Sequence, residues 1–565
     1  MTGPPSRPGS PRAAAAGLVG GPLLAARRHW VFVAVLTAGL VLRVLAQLAY
    51  RPALLYIDTM KYLYNAYPGA DPVGYKAPLR AILTVGGLST VTAVQHLLGL
   101  AMAVTIYVIL LHRGTPRWLA ALAATPLLLD AYQVQIEQTI MPDVWFEALL
   151  VAGIVVLLVP AIAPAQASQA SQADQASQAD QASHGGHGAQ GGQGAGAGRG
   201  TGAARRPGRG LGAVIIAGLL LGASATIRQV GEILILPALS YLLVAGGGWR
   251  TVLTRAAALT IAFAVPIGGY MTGSYLITGH FWLASSTPSL ASYGRMATAA
   301  DCATLRIRGY ERALCPTARQ RAYGIDWLDH DAASPLKSYT APAGRNRFAV
   351  IAGFDHQVLA QQPLRVAAAI AADGVKLFAL TRTSSQEGTP IARWQFQESY
   401  PTYGDWVMLG RHLTIVLGLR LTPGSPTITR HALDRGYGGP AAVSGPLAAF
   451  LRSYQLDGGY TPGPLMALLA LAGLTGSLLA AGGRLTARRR GLGQACMLFF
   501  ATGAAVLIAS DAFQFSWRYQ LPALVTVPPA GVLGLTLAGT YLFSRARTDG
   551  CARREEAAEL ATPAA

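Results

Sequence analysis

The sequence is poor in charge. Only 13% of its 565 residues are Asp, Glu, Lys or Arg, whereas 52% are hydrophobic, and the mean hydropathy is +0.37. Soluble domains carry about 25% charged residues. This composition excludes an ordinary soluble protein of this length and predicts an all-α polytopic membrane protein.

Acidic residues are scarce relative to basic ones, at 26 against 45, so the formal net charge is +19. A nucleic-acid-binding protein could have such a balance, but the basic residues fall in short groups beside hydrophobic runs. No basic face interleaved with aromatic residues occurs, as a single-strand binder would need. We therefore expect no nucleic-acid partner and interpret the positive charge as a topological signal.

Cysteine is also rare, with four residues and no CxxC pair, which argues against a structural zinc site. Cys302 and Cys315 fall in a segment predicted to lie outside the cytoplasm, where thiols tend to oxidise. A disulfide between them would close a loop of about 14 residues and stabilise the fold by roughly 3 kcal/mol in the chain-entropy model. The alternative is two free thiols. Cys496, inside a hydrophobic run, is expected to pack as a small apolar side chain.

The amino terminus is poor in large apolar residues up to Ala26, and a disordered cytoplasmic tail is predicted there. Arg27 and Arg28 then precede the apolar run Trp30–Tyr50, which is long enough to cross a bilayer and lacks a small-residue cleavage site. We interpret this run as an anchor; a twin-arginine export signal is the alternative. The positive-inside rule places the amino terminus in the cytoplasm.

Further apolar runs bring the predicted number of spans to about ten. Their basic connectors all fall on one side and their long aromatic connectors on the other, which supports the count and a plasma-membrane location. The predicted spans are Trp30–Tyr50, Ser89–Leu111, Leu119–Tyr132, Val144–Ile162, Leu211–Thr226, Ile233–Val244, Ala257–Thr278, Leu465–Ala481, Gly491–Ser510 and Leu521–Phe543.

Two long segments lack spans. One is a low-complexity insert with a repeat resembling SQADQA, and the other mixes aromatic, charged and amphipathic stretches and is long enough to form a mixed extracytoplasmic domain. The predicted division is a cytoplasmic tail (1–26), spans 1–4 with catalytic outer loops (27–162), a cytoplasmic linker (163–210), spans 5–7 (211–279), the extracytoplasmic domain (280–462), spans 8–10 (463–544) and a second cytoplasmic tail (545–565).

Lysine is the rarest cation, and its placement indicates a site. Two of the four lysines, Lys61 and Lys76, lie in the polar connector Arg51–Arg80 between the first two spans. Asp58 precedes Lys61 by three residues, so a short helix would place both on one face. A compact ammonium suits a phosphate oxygen, whereas arginine is this chain's usual surface cation. The alternative is an ordinary polar loop at the membrane face.

A second polar stretch, Gln133–Glu147, should lie on the same side of the membrane. Glu137 and Asp143 flank the entrance to the fourth span, and Glu147 lies one turn deeper, where an unpaired carboxylate is costly. Helix capping alone would explain Asp143. Arg228, at the outer end of the fifth span, is a natural partner for one of these acids or for an anionic ligand. Arg518 and Tyr519 repeat this arrangement before the last span.

These motifs together resemble the integral-membrane GT-C glycosyltransferases. The resemblance rests on an acid in the first outer loop, Lys76-Ala77-Pro78-Leu79 before the second span, MPDVWFEALL (Met141–Leu150) opening the fourth span and RYQLP (Arg518–Pro522) opening the last. The branches it resembles are the dolichyl-phosphate-mannose protein mannosyltransferases and the aminoarabinose-type lipid glycosyltransferases. The matching motifs cover mainly the first 250 residues and the last 60.

The resemblance implies a sugar donor carried on a polyprenyl phosphate, transfer at the outer face with inversion, and a base from the first outer loop. It implies that Asp58 is this base or orients the acceptor, and that Lys61 and Lys76 contact the donor phosphate. It implies that Asp143 is an acid that supports the catalytic residues or one that lies beside a metal. With the residues above, the candidate catalytic residues are Asp58, Asp143 and Glu137, and the candidate phosphate-binding residues are Lys61, Lys76, Arg228, Arg518 and Tyr519.

This chain also departs from the family pattern. Thr59 follows Asp58 where members often have a second acid, and Tyr75 stands where some have a metal-binding Glu. A divalent metal requirement is therefore open. The acceptor would be a lipid, a cell-wall glycan or a protein, and membrane lipids are the remaining expected partners. The alternatives are a transporter or flippase of a lipid-linked saccharide, and a nonenzymatic assembly or sensor protein.

Overall fold

The fold is described from a computed structural model. It describes residues 27–56, 58–64, 71–159, 208–284, 288–384, 390–398, 406–409, 412–415, 442–482 and 485–560. The predicted amino-terminal tail, almost all of the predicted linker 163–210 and the last five residues lie outside this described part of the chain.

The first half of the chain is helical where it is described. Its helices are α1 (Trp30–Ala49), α2 (Thr59–Tyr64), α3 (Lys76–Leu83), α4 (Leu88–His112), α5 (Arg117–Leu129), α6 (Ala131–Gln138), α7 (Asp143–Leu158), α8 (Gly208–Ile227), α9 (Ile235–Ala245) and α10 (Trp249–Thr278). A 3-10 turn, Gln229–Leu234, joins α8 to α9. The short strand β1 (Tyr50–Arg51) directly follows α1.

The segment between α10 and the carboxy-terminal helices contains short helices around a separate apolar core. They are α11 (Pro288–Ala299), α12 (Ala318–Arg321), α13 (Ile325–His330), α14 (Pro335–Ser338), α15 (Arg347–Gln361) and α16 (Pro363–Gly374). Helix α17 (Gly445–Leu456) follows, and its buried residues belong to another apolar cluster, shared with the end of α1. The long helices α18 (Gly463–Ala481), α19 (Ala487–Asp511) and α20 (Pro522–Leu560) complete the chain. Further 3-10 turns span Gly309–Leu314, Val375–Phe378, Ile391–Trp394 and Trp517–Gln520.

The strands are few and short, so the domain predicted to be mixed is mainly helical in its described residues. Strand β2 (Trp406–Leu409) pairs antiparallel with β3 (His412–Ile415). Strand β1 pairs antiparallel with β4 (Ala442–Val443), which places Tyr50 opposite Val443. The second pairing ties the carboxy-terminal end of the first helix to the segment before α17. Cys302 and Cys315 form a disulfide within the domain, with their Cα atoms 6.1 Å apart.

The chain is a multi-pass membrane protein, because seven helical stretches in its described part are long and apolar enough to cross a bilayer. They are Trp30–Ala49, Leu88–His112, Gly210–Ile227, Trp249–Thr278, Gly463–Ala481, Arg489–Asp511 and Trp517–Tyr541. An eighth span results if α5 and α6, which meet at a bend of 49°, are counted as one.

The predicted count of ten spans is not confirmed. The predicted third span, Leu119–Tyr132, is divided at Asp130 between α5 and α6. The predicted sixth span corresponds to α9, whose 11 residues extend about 17 Å, well short of the roughly 30 Å hydrocarbon layer. The fourth corresponds to α7, with 16 residues in the described part of the chain.

Close helix contacts hold the bundle together. A Cβ atom on Gly222 of α8 would lie 2.1 Å from the carbonyl oxygen of Phe263 in α10, and one on Gly534 of α20 would lie 2.0 Å from that of Ala472 in α18. Only glycine permits backbones to approach this closely, and such contacts drive helix association in lipid, where hydrophobic burial contributes little. The close pairs α8–α10 and α18–α20 therefore hold these four helices in fixed positions relative to their partners.

Candidate active site

The loop between α1 and α4 is anchored to the residues that precede α7. Leu54 forms a bridge with Thr139 through hydrogen bonds from its N–H to the Gln138 carbonyl, at 2.9 Å, and from the Ile140 N–H to its own carbonyl, at 3.1 Å. Thr59 is fully buried, and its hydroxyl donates to the Ile140 carbonyl at 3.1 Å. Thr59 thus has a structural role, and it fixes the neighbouring Asp58 beside the start of α7.

Arg518 joins the two acids that this anchoring brings close. Its Nε donates to both carboxylate oxygens of Asp143, at 2.9 and 3.0 Å, and its Nη1 donates to Oδ2 of Asp58 at 3.2 Å. The side chains of Arg518 and Asp143 are 7% and 2% exposed, whereas that of Asp58 is 29% exposed. Of the two carboxylates held by Arg518, only Asp58 is accessible to a substrate.

Arg228 completes the surroundings of Asp143. Its Nη1 forms an ion pair with Oδ1 of Asp143, and its guanidinium lies 4.8 Å from the ring centre of Tyr519. Asp143 opens α7, where the partial positive charge of the helix amino terminus also favours a carboxylate. Two guanidinium groups and a helix terminus therefore hold Asp143 ionised, and this acid serves to position Arg228 and Arg518.

Lys61 lies between two acids on the more open side of the site. Its Nζ is 3.3 Å from Oδ1 of Asp58 and also pairs with Oδ2 of Asp71. Burial would lower the pKa of Lys61, but the charges of Asp58 and Asp71 outweigh it and raise this pKa well above its usual value. Lys61 in turn lowers the pKa of Asp71. The loop cation is therefore charged at neutral pH.

The sequence patterns did not identify Asp71. It follows Lys61 by ten residues, and no helical or strand periodicity connects the two, so no local signal marks the pair. The structure thus assembles three carboxylates, Asp58, Asp71 and Asp143, with three paired cations.

Lys76 lies close by along the chain but forms no ion pair in the described structure. It begins α3, and the preceding turn is bonded to the end of α8 by the Gly74 N–H, which donates to the Thr226 carbonyl at 2.9 Å. Thr226 is two residues from Arg228. Burial, assisted by the charge of Arg80, lowers the pKa of Lys76 to about 8. Lys76 is thus a cation without an acidic partner on the Arg228 side of the site.

Aromatic residues missed by sequence reasoning close the site from the segment predicted to be extracytoplasmic, here called the outer domain. The ring of Trp394 lies 4.6 Å from that of Tyr56 and 5.4 Å from the guanidinium of Arg518. Its neighbour Arg393 forms a two-pronged contact with Asp326 of α13, at 3.1 and 3.3 Å. The outer domain therefore contributes directly to the wall beside Asp58.

The structure does not bring Glu137 into this group. Glu137 is fully buried and accepts hydrogen bonds from Arg43 at 2.7 Å and Gln133 at 3.3 Å, and His96 lies 2.9 Å away. Gln133 also donates to Glu147 at 2.8 Å. This second network joins α1, α4, α6 and α7 inside the bundle. Its position supports a structural role for Glu137 instead of the catalytic role suggested by the sequence.

A divalent metal has no assembled ligand set at the site. Among the described residues, no three His, Cys, Asp or Glu side chains are grouped so that they could hold an ion. The oxygens of Asp58 and Asp143 face Lys61, Arg228 and Arg518 instead. As arranged, the described side chains of the site do not form a metal-binding centre.

Comparison of the sequence with models of protein families and with curated protein sequences gives no match. Comparison of the fold with solved structures gives weak similarities. One is to the protein O-mannosyltransferase Pmt1-Pmt2 complex of Saccharomyces cerevisiae bound to the sugar donor, with 12% identity over 46% of this chain and 35% of that chain and a TM-score of 0.30.

Another similarity is to the archaeal oligosaccharyltransferase AglB from Archaeoglobus fulgidus in complex with an inhibitory peptide and a dolichol-phosphate. It has 12% identity over 93% of this chain and 52% of that chain, with a TM-score of 0.39. The same enzyme tethered to an acceptor peptide containing the NVT sequon gives 12% identity over 92% and 51%, with a TM-score of 0.37. The chain thus spans about half or less of the length of these structures.

The matched structures are named as a protein O-mannosyltransferase and an oligosaccharyltransferase. With TM-scores below 0.5, these similarities assign no substrate and no residue role. The functional argument rests on the arrangement of the site.

Proposed function

We propose that this protein transfers a sugar from a polyprenyl-phosphate donor to a hydroxyl group of an extracytoplasmic lipid, glycan or protein. The observation that carries the proposal is the position of Asp58, an accessible carboxylate held 3.3 Å from Lys61 and 3.2 Å from Arg518 beside a buried Asp143. A base and several cations at one end of a helical bundle match the needs of a reaction whose leaving group is a lipid phosphate.

In the proposed step, the acceptor oxygen attacks the anomeric carbon, and the bond from that carbon to the phosphate oxygen breaks. The acceptor proton passes to Asp58, and the electron pair of the broken bond remains on the polyprenyl phosphate. A single displacement of this kind inverts the anomeric centre. Asp143 is unsuited to the role of base, because Arg518 and Arg228 occupy its oxygens and it is 2% exposed.

The cations have separate tasks in this scheme. Lys61 and Arg228 keep part of their side chains exposed, at 18% and 13%, and are available to the donor phosphate. Lys76 adds a charge that no acid neutralises in the described structure. Arg518 is more deeply buried and holds both acids in place, while Tyr519 packs against its guanidinium at 5.6 Å. Together they would stabilise the negative charge that develops on the leaving phosphate.

The same proposal includes the orientation of the protein in the plasma membrane. Both termini and the linker 163–210 would be cytoplasmic, because the basic connectors cluster at that end, and Asp58 would face outward. The segment 280–462 would select the acceptor, since Trp394 and Arg393 already form the wall of the site. A flippase of lipid-linked saccharide is the competing function to be tested.

The deciding experiment uses Asp58→Asn in purified protein supplied with a polyprenyl-phosphate sugar and a hydroxyl acceptor. Loss of a general base typically costs about 10²–10⁴ in rate. Transfer should fall by this factor, while retention of labelled donor stays near wild type because the cations remain. The matched control is Asp457→Asn, an exposed acid bonded only to Ser453 at 2.7 Å, which should leave both measurements unchanged.

Unchanged transfer in Asp58→Asn would remove Asp58 from the role of base. Absence of transfer with every donor tried, together with movement of lipid-linked sugar across a reconstituted bilayer, would establish the flippase instead. The two measurements therefore separate an incorrect residue assignment from an incorrect function.

A further inference from the structure

A cavity whose lining includes two arginines, a histidine and a threonine lies at the end of the bundle opposite Asp58. It has a volume of about 640 Å³ and is formed by the residues that precede α1 and the turn between α4 and α5. His29 lies 2.7 Å from the hydroxyl of Tyr107 and so links the two parts. Because α1 runs from this cavity to the outer loop, the length of a membrane-spanning helix separates the cavity from the catalytic site.

Thr115 gives the first indication of a ligand. It lines the cavity and is only 4% exposed, yet its Oγ1 has no hydrogen-bond partner in the described structure. Buried hydroxyl groups are nearly always hydrogen-bonded, because leaving one unsatisfied is unfavourable. The unsatisfied hydroxyl at the cavity wall therefore suits an oxygen ligand.

The start of α5 gives the second indication. This 13-residue helix begins after Pro116, with no side chain capping its first N–H groups and no acid in its first turn. Uncapped N–H groups at the positive end of a helix dipole form an anion site. Arg28 and Arg117 also line the cavity, and none of the described residues that line it is acidic. The cavity therefore combines two guanidinium groups, a helix amino terminus and a free hydroxyl, all suited to a phosphate.

The surroundings favour a lipid over a free ion. Trp30 and Trp118 are among the large side chains exposed at this end, at 67% and 62%, and the apolar surface of α1 continues from them towards the bundle centre. Exposed tryptophans mark the depth of lipid headgroups, and basic pockets between membrane helices bind anionic headgroups. A phosphate at this depth would be attached to acyl chains lying along α1 and α5.

We propose that this cavity binds the headgroup phosphate of an anionic phospholipid, independently of the sugar-transfer site. Thr115 Oγ1 and the first N–H groups of α5 donate to the phosphate, and Arg28 and Arg117 neutralise it. The bound lipid fills the gap between the start of α1 and the α4–α5 turn and thereby fixes two helices of the bundle.

The test is native mass spectrometry of the full-length protein released from nanodiscs containing equal amounts of phosphatidylglycerol and phosphatidylcholine. Wild-type protein should retain phosphatidylglycerol selectively. Each neutralised arginine should weaken retention about fivefold, so Arg28→Gln/Arg117→Gln should weaken it about 25-fold. Thr115→Val, which preserves side-chain shape, should weaken retention about 10-fold to 150-fold through loss of one hydrogen bond to a charged group.

The matched control is Arg250→Gln. Arg250 is also exposed beside a tryptophan, with its guanidinium 5.5 Å from the Trp249 ring, and lies outside the cavity. Two hydrogen bonds place Arg250 at the same end of the bundle as the cavity. Gln494 donates to the carbonyl of Val244, six residues before Arg250, at 3.0 Å. Arg113, at the α4–α5 turn, donates to the carbonyl of Gly491, three residues before Gln494, at 3.3 Å. Retention should be unchanged in this variant.

Equal retention of both lipids, or equal loss in Arg250→Gln and the cavity variants, would overturn the proposal. Complete displacement of phosphatidylglycerol by millimolar inorganic phosphate would identify a free-anion site and would also overturn it. Thr115→Val keeps the test valid if the double arginine variant fails to fold, because it changes no charge.

Discussion

Arg518 contacts Asp143 through Nε at 2.9 and 3.0 Å across 375 positions of sequence, and the same guanidinium extends to Asp58 at 3.2 Å. A planar guanidinium can hold two carboxylates in fixed directions, which a flexible ammonium cannot do. The orientation of Asp58 therefore depends on a residue at the start of the last long helix as well as on its own loop.

Arg518→Lys tests this dependence, because it preserves the positive charge and removes the planar guanidinium fork that contacts both carboxylates. Loss of the directed hydrogen bonds should lower kcat about 10²-fold with little change in the KM for donor, since the lost interaction orients the acids and does not bind the phosphate. Steady-state transfer kinetics measure both constants. Arg319→Lys, at an exposed arginine bonded to Tyr323 at 3.1 Å, is the matched control. A variant with normal kcat would show that the fork is dispensable.

Lys76 should give donor binding a dependence on pH. Burial lowers its pKa to about 8, so the side chain is charged below this pH and neutral above it. If it contacts the donor phosphate, the KM for donor should rise about tenfold between pH 7 and pH 9.5 as the charge-assisted bond is lost.

Lys76→Arg should abolish this rise, because a guanidinium stays charged throughout. Lys337→Arg, at the exposed Lys337 of α14, should keep the wild-type profile. A donor KM that does not change with pH in wild-type protein would show that Lys76 does not contact the donor phosphate.

The bend between α5 and α6 rests on the buried pair Asp130–Arg382, with 0% and 6% of the side chains exposed. Arg382 donates to both Asp130 oxygens, at 3.1 and 2.6 Å, and lies over the rings of Tyr132, Tyr460 and Trp517 at 4.6–5.2 Å. Arg382→Ala leaves a buried carboxylate unpaired and should cost about 3–5 kcal/mol in the free energy of unfolding.

Adding Asp130→Asn to Arg382→Ala should recover part of this loss, because it removes the unpaired charge. Denaturation of the detergent-solubilised protein, followed through a double-mutant cycle, measures the coupling. Arg365→Ala is the control, since Arg365 is 55% exposed and 4.0 Å from Asp301, and it should cost less than about 1 kcal/mol. Additive effects of the Asp130 and Arg382 substitutions would contradict the assigned pairing.

Asp355 should make the stability of the outer domain depend on pH. Burial raises its pKa to about 7 in the folded domain, whereas an unfolded chain has an Asp pKa near 3.9, so the folded state binds more protons between these values. The stabilisation is therefore complete below about pH 4 and is lost as the pH rises through about 7.

Hydrogen exchange of α15, corrected for intrinsic rates, should show falling protection from pH 5 to pH 8. Asp355→Asn removes one of two buried titrating acids and should reduce this dependence, because Asp329, whose pKa burial raises to about 8, remains. Asp331→Asn, at an exposed acid, should leave the dependence unchanged. Protection that increases with pH would contradict the sign of the linkage.

The sequence predicted much of the site because loop sidedness is a strong signal in membrane proteins. It placed Asp58, Lys61, Asp143, Arg228 and Arg518 at one end of the bundle, and the structure brings these residues into contact. The sequence pattern could not show that Glu137 lies in a different hydrogen-bond network, with Arg43 and His96. All eight residues of α6 are buried, so no amphipathic pattern shows which direction Glu137 faces.

The remaining differences have long-range causes. The division of the predicted third span at Asp130 depends on Arg382, which lies 252 positions away. The wall formed by Trp394 belongs to a 3-10 turn without any periodic pattern. The short helix α9 was predicted as a span because its composition is apolar, although it has only 11 residues. Composition identifies an apolar environment, but length decides whether a helix crosses the membrane.

The contact between Arg518 and Asp58 also imposes an order on biosynthesis, since 460 positions separate the two residues. At about 5–20 residues per second, a ribosome would add Arg518 roughly 20–90 s after Asp58. During this interval Asp58 lacks its contact with Arg518, and Tyr50 lacks its strand partner Val443. Enzymatic competence would therefore arise in one late event, when the last long helix is inserted, and translation products ending before it should be inert.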